Sequence, residues 1–401
     1  MIPVAEALDR VLAALAPTGP ETVPLPDAAG RVLAAPVAAR LTQPPADVSA
    51  MDGYALRAAD AAVGARLRVV GEAPAGHPFP GAVGPGEAVR IFTGGFVPPG
   101  ADAILLQEDA RAADDAVEPT EAPTPGRWIR RAGLDFAAGE ALLHPGRLLT
   151  PRDVGLAAAA NHAWLAVHRR PRVAIFATGD EIALPGDPLP PGGIVSSNAH
   201  ALAALARAAG AEPTVLPIAP DDRYAIAALG AAAATADMIV TTGGASVGDH
   251  DLVQAALGPE GFSLDFWRIA MRPGKPLISG HLRGTPLLGL PGNPVSALVC
   301  GAIFLRPALR RLAGLPAAPT PTRPARLASP LPANDRRQDY LRATAEPGPD
   351  GVPRVTAFAA QDSSMLTTLA RADALLLRAP HAPAAAAGDP VEIIELAPLG
   401  L

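Results

Sequence analysis

Met238-Ile239-Val240-Thr241-Thr242-Gly243-Gly244-Ala245-Ser246-Val247-Gly248-Asp249-His250-Asp251 begins as a strand and ends as a loop of glycines and acids. An apolar run without alternation is the pattern of a strand covered on both faces, as in a parallel sheet. Glycines directly after such a strand leave backbone N–H groups bare, able to converge on an anion.

Working outward, the same grammar repeats from 172 to about 315. The pattern predicts strands over 173–177, 214–218, 238–242, 264–269, 276–280 and 286–290. Helices are predicted over 199–209, 222–235, 252–257 and 295–312. Strand and helix in alternation give a mostly parallel sheet with helices on both faces. Ligands of such sheets bind beyond the carboxyl ends of the strands.

Four turns fall at that rim. They are Thr178-Gly179-Asp180-Glu181, Asp221-Asp222, the glycine loop from Gly243, and Pro291-Gly292-Asn293-Pro294-Val295-Ser296. Bare amides and helix N-termini favour a phosphate, whereas carboxylates beside them repel one unless they hold Mg²⁺, which shares oxygen ligands with phosphates. Each piece also has a plainer reading. The 178–181 segment could be only a strand-to-helix turn, and Asp222 could be an ordinary helix cap. Asn293 followed by Pro294 suits a helix start. Met51-Asp52-Gly53-Tyr54 reads by itself as a turn. His250 has no second histidine at metal-ligand spacing, and Cys300 sits on an apolar helix as core.

The flanks differ from the middle. Residues 1–19 carry an amphipathic helix with Val4, Leu8, Val11, Leu12 and Leu15 on one face. Segments 20–38 and 140–170 are expected to form one discontinuous connecting α/β domain around a β-rich domain at 39–139. In the second segment Thr150 caps a helix, Pro151 fits its first turn and Asn161 is a left-handed stop. The α/β domain is placed at 171–318, and short β runs over 319–401 suggest a small C-terminal barrel.

Composition narrows the function. With 33 Lys and Arg against 39 Asp and Glu, a broad nucleic-acid surface is not expected. One cysteine rules out internal disulfides and cysteine-based metal clusters. The first fifteen residues have Glu6 and Asp9 where a signal peptide carries Lys or Arg, and 287–305 is broken by Pro291, Asn293 and Pro294. The expectation is a cytoplasmic protein with no membrane segment.

Seven motifs in order resemble one family. They are Ser49-Ala50-Met51-Asp52-Gly53-Tyr54-Ala55, Ile91-Phe92-Thr93-Gly94-Gly95, Pro98-Pro99-Gly100-Ala101-Asp102-Ala103, Thr178-Gly179-Asp180-Glu181, Thr242 through Asp249, Arg272-Pro273-Gly274-Lys275-Pro276, and Leu290 through Ser296. They are similar to the molybdopterin molybdenumtransferases, the MoeA-like proteins that include the E domain of gephyrin-type proteins. The resemblance implies an elongated, four-domain homodimer that inserts molybdate into adenylylated molybdopterin with Mg²⁺ and releases AMP.

By the same resemblance Glu181, Asp221 and Asp251 are functional acids, expected here to hold the metal. Asp52 and Thr93 would complete the cleft from the partner chain. Lys275, with Arg272 where the family usually has Lys, would hold the oxyanion. Thr178, Gly179, Asp180, Gly243, Gly244, Ser246, Gly248, Asp249, Pro291, Gly292, Asn293 and Pro294 would bind substrate, with Arg342 and Ser363 from the C-terminal region. Contact with a molybdopterin adenylyltransferase is also implied. Two alternatives stay open: the chain is itself such an adenylyltransferase, or a non-catalytic dimeric scaffold of gephyrin type.

Overall fold

The computed structural model describes residues 1–243 and 255–401. Its central sheet has six strands in the order Glu212–Val215, Arg172–Ala177, Met238–Thr242, Thr285–Leu290, Pro276–Leu282 and Phe262–Arg268. The first four are parallel, and Pro276–Leu282 runs antiparallel to its neighbours on both sides. All five residues of Met238–Thr242 are buried. Alternate side chains point to opposite faces. Val173, Ile175, Met238 and Val240 therefore join one core, while Ala174, Phe176 and Ile239 join another.

Helices cover both faces. Asn198–Ala208 and Arg306–Leu312 supply Leu202 and Leu309 to the first core, and Arg223–Ala233 supplies Ile226 to the second. The N-terminal helix Val4–Ala13 buries Val4, Leu8, Val11 and Leu12 in that same first core. Burial of each such aliphatic side chain contributes about 1.5–3 kcal/mol.

Two elements differ from expectation. The strand expected at 214–218 is Glu212–Val215, displaced toward the N-terminus. Pro217 has no N–H to donate, so the ladder cannot continue through it. The helix expected at 295–312 consists of Pro294–Cys300, a π-helical stretch Gly301–Leu305, and Arg306–Leu312. Pro307 removes a donor there, a common cause of such irregularity. Of the helix expected at 252–257, only 255–257 falls among the described residues, and these are helical.

Strand pairs Pro20–Pro24 with Trp164–His168 and Val37–Ala38 with Ala141–Leu143 carry the chain into and out of a β-rich module. Helix Pro151–Ala159 begins with a capping box in which Asp153 accepts from the Thr150 N–H (2.8 Å) and hydroxyl (2.7 Å). Asn161 takes the left-handed conformation, φ +69°.

The module's sheet has six strands, among them Gly53–Leu56 between Ala103–Leu106 and Glu87–Ile91. The turn reading of 51–54 is corrected here. Residues 50–52 bend, but Gly53 and Tyr54 open a fully buried strand. Glycine is required at 53 because a Cβ would lie 2.0 Å from the Leu105 carbonyl oxygen.

The C-terminal region is a closed barrel. Gln338–Glu346, Arg354–Ala357, Arg323–Leu327, Pro390–Glu395 and Ala374–Arg378 pair in turn, and the last returns to the first. A short strand of the α/β domain, Met271–Arg272, runs parallel to Gln338–Asp339 and joins the two bodies.

Asp237, at the start of the central strand, accepts from both Arg169 nitrogens (2.7 and 2.8 Å) and the Arg172 N–H (2.7 Å). Burial alone would raise its pKa, but the bonds from Arg169 and the Arg172 amide outweigh this and leave it below the ordinary value. A depressed carboxylate stabilises the fold above its unfolded pKa of about 4, and that stabilisation is lost as pH falls through the folded value. Asp237→Asn should lower stability by about 1–3 kcal/mol at pH 7. It should also shrink the difference from wild type below about pH 4, as read by urea unfolding across pH.

Candidate active site

The glycine loop leaves the sheet beside two other rim turns, and the backbone explains how they fit. Thr178 donates its N–H to the Thr242 carbonyl (3.1 Å), and the Thr242 hydroxyl donates to the Pro291 carbonyl (3.3 Å). Asn198 lies across them, its amide donating to Thr242 Oγ1 (2.9 Å) and the Gly292 carbonyl (2.6 Å). Gly243 has φ +89°, and a Cβ there would lie 2.5 Å from the Thr178 carbonyl oxygen. Three segments thus meet at van der Waals distance because a side chain is missing.

Above this floor opens a cavity of about 920 Å³. One wall is the α/β rim, with Glu181, Asn198, Gly243, Lys275 and Asn293; the other is the barrel, with Arg337 and residues 361–364. Asn293 precedes helix Pro294–Cys300 but its side chain makes no cap; Nδ2 donates instead to Ser363 Oγ (2.8 Å). Val295 N–H donates to the Ser363 carbonyl (3.1 Å), so the barrel segment is fixed to the helix start.

Among the described residues three cations line the cavity, and they are not equivalent. Arg272 Nε donates to Asp339 Oδ1 (2.8 Å), Nη2 meets Oδ2, and weaker contacts reach Asn334 and Asp335 (3.3 and 3.4 Å). Its bond to Asp339 raises the Arg272 pKa further. Arg337 donates Nη2 to Asp335 (3.1 Å). Lys275 is exposed, and among the described residues no carboxylate is paired with its ammonium. The bend that presents it depends on Gly274 (φ +110°), where a Cβ would lie 2.4 Å from Cys300 Sγ. Cys300 is buried, which pushes its thiol far above the ordinary value and leaves it a packing group.

This arrangement has relatives. The family described as MoeA N-terminal region (domain I and II) matches residues 2–161, the probable molybdopterin binding domain matches 174–311, and MoeA C-terminal region (domain IV) matches 324–396. The chain belongs to the MoeA family. Molybdopterin molybdenumtransferase 2 of Mycobacterium tuberculosis is 43% identical over 339 residues, covering 81% of this chain and 83% of that protein. Molybdopterin molybdenumtransferase of Nostoc sp. is 41% identical over 304 residues, covering 74% and 70%. The molybdopterin biosynthesis MoeA protein of Pyrococcus horikoshii superposes with a TM-score of 0.84 at 28% identity, covering 98% and 99%.

Of the residues expected to bind or act, Glu181, Gly243, Arg272, Lys275, Pro291, Gly292, Asn293, Pro294 and Ser363 line this MoeA cavity. Gly244, Ser246, Gly248, Asp249 and Asp251, with Ala245 and His250, lie outside the described residues. Thr178 is buried under the floor. At Gly179 a Cβ would lie 2.6 Å from Glu181 Oε2, so glycine leaves room for that carboxylate.

Other expected residues lie away from the described cavity wall or already have partners in the chain. Asp180 Oδ1 accepts the Asp221 N–H (3.0 Å) and so braces the turn. Neither Asp180 nor Asp221 lines the cavity, while Asp222 caps Arg223–Ala233. Arg272 lines the cavity but is bound to Asp339. Arg342 does not reach the cavity. It is buried in the barrel, with Nη2 donating to the Asp362 carbonyl (2.9 Å) beneath the 361–364 segment.

Asp52 and Thr93 are elsewhere, paired with each other: Asp52 Oδ1 accepts from the Thr93 N–H (2.7 Å) and hydroxyl (2.9 Å). Those bonds, the backbone one first, hold the Asp52 carboxyl below its ordinary pKa. No residue of 39–139 is among those that line the cavity. The sequence reading missed Asn198, Arg337, Gln361, Asp362 and Ser364; a Ser-Ser-Asn run before a helix was the available signal for the first.

Among the described residues no group of three His, Cys, Asp or Glu side chains is placed to hold a metal. Of the expected trio, Glu181 lines the cavity, Asp221 does not, and Asp251 lies outside the described residues. A single carboxylate is nevertheless a sufficient donor set for Mg²⁺ where substrate phosphates and water supply the rest.

Gly243→Ala would place its Cβ against backbone in a conformation L-residues avoid. It should cost about 1–3 kcal/mol of stability, and ligand binding should fall with it; thermal unfolding at unchanged stability would contradict the packing described.

Proposed function

We propose that this chain is a molybdopterin molybdenumtransferase: it inserts molybdate into adenylylated molybdopterin and releases AMP. The observation that carries this reading is Lys275, an ammonium without a carboxylate partner among the described residues, presented to a cavity with room for a nucleotide-sized ligand. The names of the relatives in Mycobacterium and Nostoc support the same reaction. The family matches on both sides of the α/β domain argue against an adenylyltransferase, which is about one domain long.

Molybdate is a tetrahedral dianion, and Lys275 would hold it by charge-assisted hydrogen bonds. The substrate's dithiol displaces one oxide: two Mo–S bonds form and the two thiol protons leave with that oxygen as water. Water then cleaves the phosphoanhydride bond, giving AMP and the pterin phosphate. Asn198, Asn293 and Ser363 are hydrogen-bonded to neighbouring chain, so their role is to keep the walls fixed while the ligand is oriented. Glu181 would hold Mg²⁺, which when bound offsets the negative charge of the phosphates.

The reading includes a homodimer, in which the partner brings its own copy of the Asp52–Thr93 pair to this cleft. It also includes a cytoplasmic setting, consistent with no described helix being long and apolar enough to cross a membrane. Contact with the adenylyltransferase that supplies the substrate completes it.

The test is AMP release from adenylylated molybdopterin and Mg²⁺, with and without molybdate. Release should depend on molybdate, and Lys275→Ala should lower it about a hundredfold while the protein stays folded. Equal release without molybdate, or by the variant, would remove the reading.

A further inference from the structure

A second cleft, sharing no lining residue with the large cavity, lies where the connecting segments meet the α/β domain. It is small, about 30 Å³, more than one water needs. Its lining includes Arg31, His168, Arg169, Arg170 and Arg310, and among the described residues no aspartate or glutamate lines it.

Two of these cations are already neutralised from outside the cleft. Arg31 pairs with Glu21, and Arg169 grips Asp237 through both terminal nitrogens. His168 Nδ1 is bonded to the Thr18 carbonyl (2.7 Å). Arg170 and Arg310 remain. Both are partly buried, and no hydrogen bond or ion pair among the described residues reaches either guanidinium.

Burial lowers the Arg310 pKa, and it does the same to Arg306, which Arg310 further lowers by its charge. Removing a guanidinium from water without a partner is unfavourable, so two together call for an anion. The C-terminal turns of helices Asn198–Ala208 and Arg306–Leu312 also border the cleft. Each offers only about half a negative charge, too little to balance both arginines.

We propose that this cleft binds one small tetrahedral oxyanion, of the phosphate, sulfate or molybdate class, held between Arg170 and Arg310. The planar, multi-donor guanidinium suits such an anion. The bound ion would fasten the connecting segments to the α/β domain, at a place separate from the 920 Å³ cavity.

Radiolabelled sulfate in equilibrium dialysis tests this at fixed ionic strength, with chloride as the balancing salt. Wild type and Lys275→Gln should each bind sulfate at this site, and Arg170→Gln/Arg310→Gln should bind it at least tenfold more weakly. Phosphate and molybdate added as competitors then rank the three ions. Equal binding by the double variant would overturn the proposal. So would loss of all binding in Lys275→Gln, because the sulfate would then belong to the large cavity; that comparison stands even if the double variant fails to fold.

Discussion

Asp339 is almost fully buried where the barrel meets the α/β domain, a position in which a lone carboxylate would be strongly unfavourable. Arg272 reaches it from the other body through Nε and Nη2, in the planar two-point geometry that makes such pairs strong. The short parallel pairing of Met271–Arg272 with Gln338–Asp339 sets the register of that contact. On the next turn of chain stands Lys275. The pair that holds the barrel in place therefore also sets where the Lys275 ammonium points, and the cavity exists only while the barrel supplies its second wall.

A second constraint acts at the floor. Glycines at 243 and 274 allow approaches that a Cβ would forbid, and Asn198 ties two rim loops with one amide. Both devices favour rigidity over adaptability. A pocket for a large, charged substrate gains from this, since wall residues already held by chain contacts need less ordering when the ligand arrives. Among the described residues, Asn198, Asn293 and Ser363 at the rim are hydrogen-bonded to chain, whereas no carboxylate is paired with Lys275.

The mostly parallel sheet was legible because Met238–Thr242 and its neighbours are unbroken apolar runs separated by helical periodicity. The barrel was legible as short strands, and Asn161 as a left-handed stop. What could not be read was set by tertiary contact. Gly53 looks like turn chemistry, but its bareness serves the Leu105 carbonyl across a strand pair. Arg272 lines the cavity as expected, but its pairing with Asp339, distant in sequence, could not be read. Gln361, Asp362 and Ser364 carry no motif and enter the cavity because the barrel closes. Acids adjacent in sequence also diverged: Glu181 lines the cavity while Asp180 braces a turn.

The claim that this cavity receives the oxyanion is most directly tested by a crystal of the protein soaked with tungstate, an electron-dense analogue of molybdate. The account predicts anomalous density within hydrogen-bonding reach of Lys275, between residues 291–294 and 361–364. A fully ordered cavity with no tungstate in it, in crystals whose solvent channels reach it, would contradict the account.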